Sequence, residues 1–301
     1  MKVRVGFGLG GAVGLDHQSF TTVVDELERI GYDSLWVSER ANSPTLDPTV
    51  AMTWAAARTE RLKVGASVMV LPGRNPVLLA KAIASLDVLS QGRALPAFGL
   101  GIANSVEHQA FGVERKQRAA WFDEALPLMR RLWDADQEVV DHHGDRFDIE
   151  GVRLAPKPVQ QPIEVWLGGA SDAELRRVAR LGDGWLPSFT TPEVAARGKA
   201  LIDATAGEHG RQIDPEHFGV LIPYLGRAEA LPDVVVDYVR QRQPGADPAD
   251  VVAPDPAGAA RLIERFTEVG FSKFVLHPFA PPDDWTALLE SIAEAVFALQ
   301  T

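Results

Sequence analysis

The chain contains no cysteine in 301 residues, which excludes disulfides, thiol chemistry and any cysteine-ligated metal. It has no run of 18 apolar residues, so no transmembrane helix is expected. The opening MKVRVGFGLGG passes straight into strand-like sequence and has no signal-peptide layout. Together these features fit a cytoplasmic protein. Positive charge is also short: the formal net charge is −11, against the basic face that a duplex nucleic-acid binder normally carries. A few local donors could still hold a small anionic ligand. No His-x-His occurs, which removes the usual metal-hydrolase pattern, and no serine nucleophile elbow occurs either.

What the chain does have is apolar sequence in a repeating arrangement. With 46% hydrophobic residues it can build a large core, as one α/β barrel or as two domains. Residues 62–92 show the unit most completely. Leu62 to Val70 is β-rich and almost wholly apolar, as in a strand buried on both faces. A Pro-Gly turn follows, then Asn75-Pro76, which combines a favoured N-cap with a proline suited to the first helical position. Leu79, Ala82, Ile83, Leu86 and Leu89 then recur at helical spacing, and Gly92 stands where a left-handed C-cap belongs.

The rest of the chain repeats this unit. Strands are predicted at Val3–Leu9, Ser34–Val37, Leu62–Val70, Arg93–Gly101, Ile163–Leu167, Gly184–Ser188, Phe218–Leu225 and Phe271–Leu276, each followed by a helix. Asp47-Pro48, Thr191-Pro192 and Asp255-Pro256 repeat the cap-plus-proline device, and Ser171-Asp172-Ala173-Glu174 fits a capping box. Strict alternation implies parallel pairing, and eight units in about 300 residues suit a closed (β/α)₈ TIM barrel. The alternative is a doubly wound sheet, since Gly6, Gly8, Gly10, Gly11 and Gly14 contain G-x-G-x-x-G. The glycines fall within the first strand and its loop, and no acidic residue ends a second strand in a matching context, so the barrel is preferred. Residues 135–160, after the fourth helix, and 226–254, after the seventh strand, read as insertions into one domain spanning 1–301.

In such a barrel the working groups follow the strands. Gly168-Gly169-Ala170 lets a ligand approach the backbone before a helix N-terminus, which suits a phosphate; a tight, well-capped βα turn fits equally well. Glu39 is a carboxylate available to give or take a proton, or to form an ion pair with Arg40. His277 either faces the mouth or caps a strand, the second being the commoner fate. His142 and His143, with Asp141 and Asp145, lie in a polar loop without partners at ligand spacing and read as a solvated turn. A phosphate-ready turn, one carboxylate and apolar walls leave the hard chemistry to an organic cofactor.

The segments GYDSLWVSER (31–40), VGASVMVLPGRNPVLLAKAIASLDVLSQGR (64–93), GLGIANSVEHQAFGV (99–113), PIEVWLGGAS (162–171) and LGDGW (181–185) together resemble the luciferase-like flavin and deazaflavin oxidoreductases, in the branch that uses coenzyme F420. The resemblance covers nearly the whole chain. It implies a barrel with insertions and hydride transfer between F420 and a small organic substrate at the barrel mouth. It further implies a non-proline cis peptide at Ser67–Val68. By the same resemblance Ser67, Val68 and Val70 would line the ring, Ile102, Ala103 and Asn104 would flank it, and Gly168, Gly169 and Ala170 would hold the tail phosphate. Glu39 stands where many members carry an acidic residue near the redox carbon, and Arg40 where some have histidine. Asn104 replaces the glutamate of the sugar-phosphate dehydrogenases, which argues against that substrate. Phe7, Trp185 and His277 are expected in the substrate pocket, suggesting an apolar or aromatic molecule. A homodimer is common in the family. Two alternatives stay open: an FMN-dependent monooxygenase, and a noncatalytic flavin- or ligand-binding barrel.

Overall fold

A computed structural model describes residues 2–11, 13–226 and 231–301. Apolar runs become strands and capped amphipathic runs become helices. In chain order these are β1 (Arg4–Leu9), α1 (His17–Ile30), β2 (Ser34–Val37), α2 (Pro48–Arg58), β3 (Lys63–Ala66), β4 (Met69–Val70) and α3 (Pro76–Leu89). There follow β5 (Ala94–Leu95), β6 (Ala97–Gly99), α4 (Ser105–Phe111), α5 (Arg118–Trp133), β7 (Val140–His143), β8 (Asp148–Val152) and β9 (Trp166–Leu167). The remainder is α6 (Asp172–Leu181), β10 (Gly184–Trp185), α7 (Pro192–Glu208), β11 (Gly219–Tyr224), α8 (Asp233–Arg242), α9 (Pro256–Glu268), β12 (Lys273–Pro278) and α10 (Trp285–Val296).

The cap signals act as their chemistry requires. The side chains of Asp47, Asn75, Thr191 and Asp255 each accept a backbone N–H at a helix start, with proline in the first turn. Ser171 and Glu174 form the expected reciprocal capping box.

The first, seventh and eighth predicted strands shift by only one or two residues at their ends, whereas the third to sixth are broken or shortened. The third is interrupted between β3 and β4, where the Ser67–Val68 peptide is cis. The fourth breaks at Pro96, which has no N–H to give to a ladder. The fifth shrinks to Trp166–Leu167, because the N–H of Val165 donates to the Asp183 carboxylate at 2.9 Å. The sixth shortens to Gly184–Trp185 ahead of Pro187, and Ser188 meets Leu221 through an isolated parallel bridge.

Parallel pairing dominates. One sheet runs β11-β12-β1-β2-β3-β5 and a second runs β10-β9-β6-β4. The two join where β3 leads into β4 and β5 into β6, and β10 meets β11 through the Trp185–Phe218 bridge. Among the described residues the only antiparallel pair is the hairpin β7–β8, within the segment expected as the first insertion. Residues 227–230, part of the second expected insertion, lie outside the described residues. No helix among the described residues is long and apolar enough to cross a membrane.

Alternation along β1 separates two cores. Phe7 is fully buried among the helices, edge-on to Tyr32 and Trp285, so it lines no cavity and the pocket role expected for it does not hold. On the other face, Trp36, Trp166, Leu186, Leu221 and Val275 form a smaller cluster between the sheets. Its packing depends on a missing side chain: a Cβ at Gly65 would lie 2.7 Å from the Trp36 ring. Toward the N-terminal ends of the strands, Asp33 accepts from Lys63 at 3.0 Å and from Lys273 at 2.7 Å. The Lys273 ammonium, only 3% exposed, also lies over the rings of Trp36 and Trp166. Burial pushes the Asp33 carboxyl up, but the two ammonium groups outweigh it and hold the group well below the usual carboxylate range.

Candidate functional site

At the opposite, C-terminal ends of the strands, four separate loops meet around a cavity of about 320 Å³. They are residues 38–40 after β2, the break between β3 and β4, residues 99–102 after β6, and Gly168-Gly169-Ala170 after β9. Apolar atoms of Val68, Val70, Leu186 and Leu221 form part of its lining.

Glu39 is fixed by a closed set of contacts. The Val70 N–H donates to Glu39 Oε2 at 2.6 Å, and an Arg74 Nη donates to Glu39 Oε1. Arg74 Nε in turn donates to the Val70 carbonyl at 3.0 Å. The partner of Glu39 is therefore Arg74, not the neighbouring Arg40 considered from sequence. Burial raises the Glu39 carboxyl above its ordinary value, against the opposing pull of Arg74 and the Val70 N–H.

Other polar groups fix the backbone of the rim. Ser38 Oγ donates to the Ser67 carbonyl at 3.2 Å. Arg118 Nη1 donates to the carbonyls of Leu100, Gly101 and Ile102 at 2.8, 3.0 and 3.0 Å. The Glu107 carboxylate accepts the N–H groups of Ala41 and Asn42, each at 3.2 Å. After β9 the Glu174 carboxylate accepts from Ala170 N–H at 3.1 Å, Ser171 N–H at 3.0 Å and Ser171 Oγ at 2.8 Å.

A second cavity of about 640 Å³ adjoins the first and shares Gly11, Arg40, Ile102 and Glu107 with it. Its far wall is apolar and aromatic: Val234, Val235 and Tyr238 from α8, with Phe189 and Phe279. Phe189 meets Tyr238, His277 and Phe279 edge-on. His277 lines this cavity, and burial pushes its imidazole down to about 4.

The placements of the predicted residues can now be compared with their expected roles. Glu39, Arg40, Ser67, Val68, Val70, Ile102, Gly168, Gly169 and Ala170 come together around the first cavity. Asn104 lines the second instead, and its side-chain oxygen is engaged by the N–H groups of Val106 and Glu107 as the cap of α4. Ala103 is exposed between them and lines neither. Trp185 is turned away as well. It is buried against Phe271, and its Nε1 donates to the Gly169 carbonyl at 2.9 Å, so it supports the loop and does not touch the space above it. Arg74 and Arg118 are missing from the sequence-based set. Arg118 acts through backbone carbonyls, and Arg74 reaches Glu39 from 35 positions along the chain, so neither leaves a pattern in side-chain spacing. Among the described residues no cluster of His, Asp and Glu could hold a metal, and His142 and His143 pair with Glu124 and Asp148.

The family described as luciferase-like monooxygenase matches residues 6–272. The F420-dependent glucose-6-phosphate dehydrogenase of Kineococcus radiotolerans is 26% identical over 91% of this chain and 90% of its own length. The phthiodiolone/phenolphthiodiolone dimycocerosates ketoreductase of Mycobacterium tuberculosis is 27% identical over 76% of this chain and 68% of its own. Among solved structures, an F420-dependent secondary alcohol dehydrogenase in complex with an F420-acetone adduct superposes with a TM-score of 0.81 over all of both chains, at 21% identity. The oxygenating constituent of 3,6-diketocamphane monooxygenase of Pseudomonas putida, in complex with FMN, gives 0.79 at 19% identity over 100% of this chain and 99% of that one. At these identities the superpositions speak for the fold alone.

Proposed function

The chain belongs to the luciferase-like monooxygenase family, and from that premise we propose that it is an F420-dependent oxidoreductase that moves hydride between the deazaflavin and a small organic substrate. The observation that carries this reading is the first cavity: loops remote in sequence, each within a segment that resembles the F420 branch, converge on one space. The F420-dependent relative that aligns over nearly the full length supports the same cofactor. The succession of parallel pairs and bridges supports a closed (β/α)₈ barrel as its frame. That barrel is one domain, with the hairpin segment 135–160 and residues 226–254 inserted into it. A cytoplasmic homodimer is part of the same reading, and its mass in solution tests the dimer.

The residues present fit such a group at its ring end. A Cβ at Gly99 would lie 2.6 Å from Val68 Cγ2, and one at Gly168 would lie 3.2 Å from Val68 Cγ1, so both glycines make the space in which Val68 sits in the cavity lining. Ser67, Val68, Val70 and Ile102 would hold the ring, and Gly168, Gly169 and Ala170 the phosphate of the tail. Arg40, with no ion-pair partner among the described residues, would meet an anionic edge. When bound, F420 supplies a two-electron hydride carrier. Glu39 handles the accompanying proton: burial favours its protonated form, and Arg74 and Val70 hold the carboxyl in one orientation. Val68, Val70, Leu186 and Leu221 keep the rear of the site apolar, and Arg118 fixes the carbonyls of residues 100–102.

The second cavity is the substrate compartment of this reading. Phe189, Tyr238, Phe279, Val234 and Val235 favour an apolar or aromatic molecule over a sugar phosphate. Asn104, committed to capping α4, adds no acidic group there. Titration of the purified protein with F420 and with FMN separately, read by fluorescence, tests the assignment. Saturable binding of F420 with turnover of an organic acceptor is expected. Binding of FMN alone with consumption of oxygen would make the protein a monooxygenase, and binding of neither would leave a barrel without this chemistry.

A further inference from the structure

The turn after β9 is the natural seat for the cofactor's phosphate, yet its donors are already engaged. Ala170 N–H and Ser171 N–H, which immediately precede α6, both donate to Glu174 Oε2. Ser171 Oγ donates to the same oxygen at 2.8 Å. Gly169, with φ of +108°, leaves the space in which Glu174 lies: a Cβ there would stand 2.7 Å from Glu174 Cβ and Cδ. Glu174 itself lines the first cavity. One carboxylate thus sits at the position and on the donors that an incoming phosphate would use.

The capping box accounts for the contacts, and the positive end of α6 favours a charged acceptor there. Glutamine satisfies the same N–H groups in that motif. The carboxylate adds a negative charge beside the place where a second one must come, and like charges at such separation in a partly desolvated cleft repel. We propose that Glu174 is a resident competitor for the phosphate of the cofactor tail: the phosphate binds only when the Glu174 side chain leaves Ala170 and Ser171, and this exchange sets the affinity. The inference rests on the F420 reading and assigns the control of its phosphate end to one side chain.

The test is the dissociation constant of F420, and of its phosphate-free 5-deazariboflavin core, for the wild type and for Glu174→Gln, read by fluorescence. Glutamine keeps the capping box, so the fold of α6 is retained, and thermal melting checks this. F420 is expected to bind the variant about tenfold more tightly, while the core changes less than about twofold. Unchanged or weaker F420 binding overturns the proposal. So does equal tightening for both ligands, which would place the effect on the ring and not on the phosphate. If neither deazaflavin binds either protein, the F420 reading fails, and FMN against riboflavin, which differ by the same phosphate, decides the role of Glu174. Binding of none of the four ligands overturns both.

Discussion

The two ends of the parallel strands use acidic residues in opposite ways. At the N-terminal end Asp33 is matched with two lysines, one of them almost wholly buried. At the C-terminal end Glu107 and Glu174 turn to backbone N–H groups, and Glu39 divides its oxygens between Arg74 and an N–H. The first arrangement neutralises charge inside a core. The second shapes loops, and it leaves Arg40 and Arg242 bordering the cavity without carboxylate partners among the described residues. The lysine-paired acid thus lies at one end, and the other holds two guanidinium groups available for a ligand.

The sharpest way to break this contrast is at the closed end. Asp33→Asn strands the Lys273 ammonium in the core and is expected to cost about 3–5 kcal/mol, measured by denaturant unfolding. A loss below about 1 kcal/mol would show that the pair behaves like a surface contact. At the open end, Glu39→Gln is expected to lower turnover by about 10²–10⁴-fold with F420 affinity unchanged within experimental scatter. Normal turnover across a panel of substrates would remove Glu39 as the proton-transfer group.

A smaller effect separates the ends by pH. Burial pushes His277 down to about 4 from an ordinary 6.5. Between these values the unfolded chain binds the extra proton, so stability falls as pH is lowered through that window. The loss attributable to His277 is at most about 3 kcal/mol, less where the cavity lets water reach the ring, and it should vanish in His277→Gln. An unaltered slope of stability against pH in that variant would place the linkage elsewhere. Smallest of all, Tyr238→Ala is expected to raise the KM for an aromatic substrate about tenfold, as about 1.4 kcal/mol of lost contact would, while leaving cofactor binding alone. A change in F420 affinity instead would mean that the two cavities are not separate compartments.

The strand–helix alternation could be read from the sequence because it is written in local chemistry: apolar runs, then Asn75-Pro76 or Asp255-Pro256, then helical periodicity. The residues of the first cavity could be read because they follow those strands. Direction was harder to read. Phe7 and Trp185 stand at the right strands but on the face toward the helices, and that alternation is set by what Trp36 and Trp166 fill between the sheets. Arg74 and Arg118 were not legible at all: the partners of Arg118 are carbonyls that any residue could supply, and Arg74 meets Glu39 only once the loops after β2 and β4 fold together. The occupation of the phosphate turn was half legible. Ser171 and Glu174 read as a capping box, but only the folded loop shows that their oxygens and the cavity compete for the same N–H groups.

Arg40, Ile102 and Glu107 form a partition common to both cavities, and α8 contributes three side chains to the far side of the second. A change of substrate can therefore be made by rewriting Val234, Val235 and Tyr238 on that helix while Arg242, the partition and the chamber behind it stay as they are. Diversity in what such a protein acts on would accumulate on α8, as a replaceable panel fitted to a fixed engine.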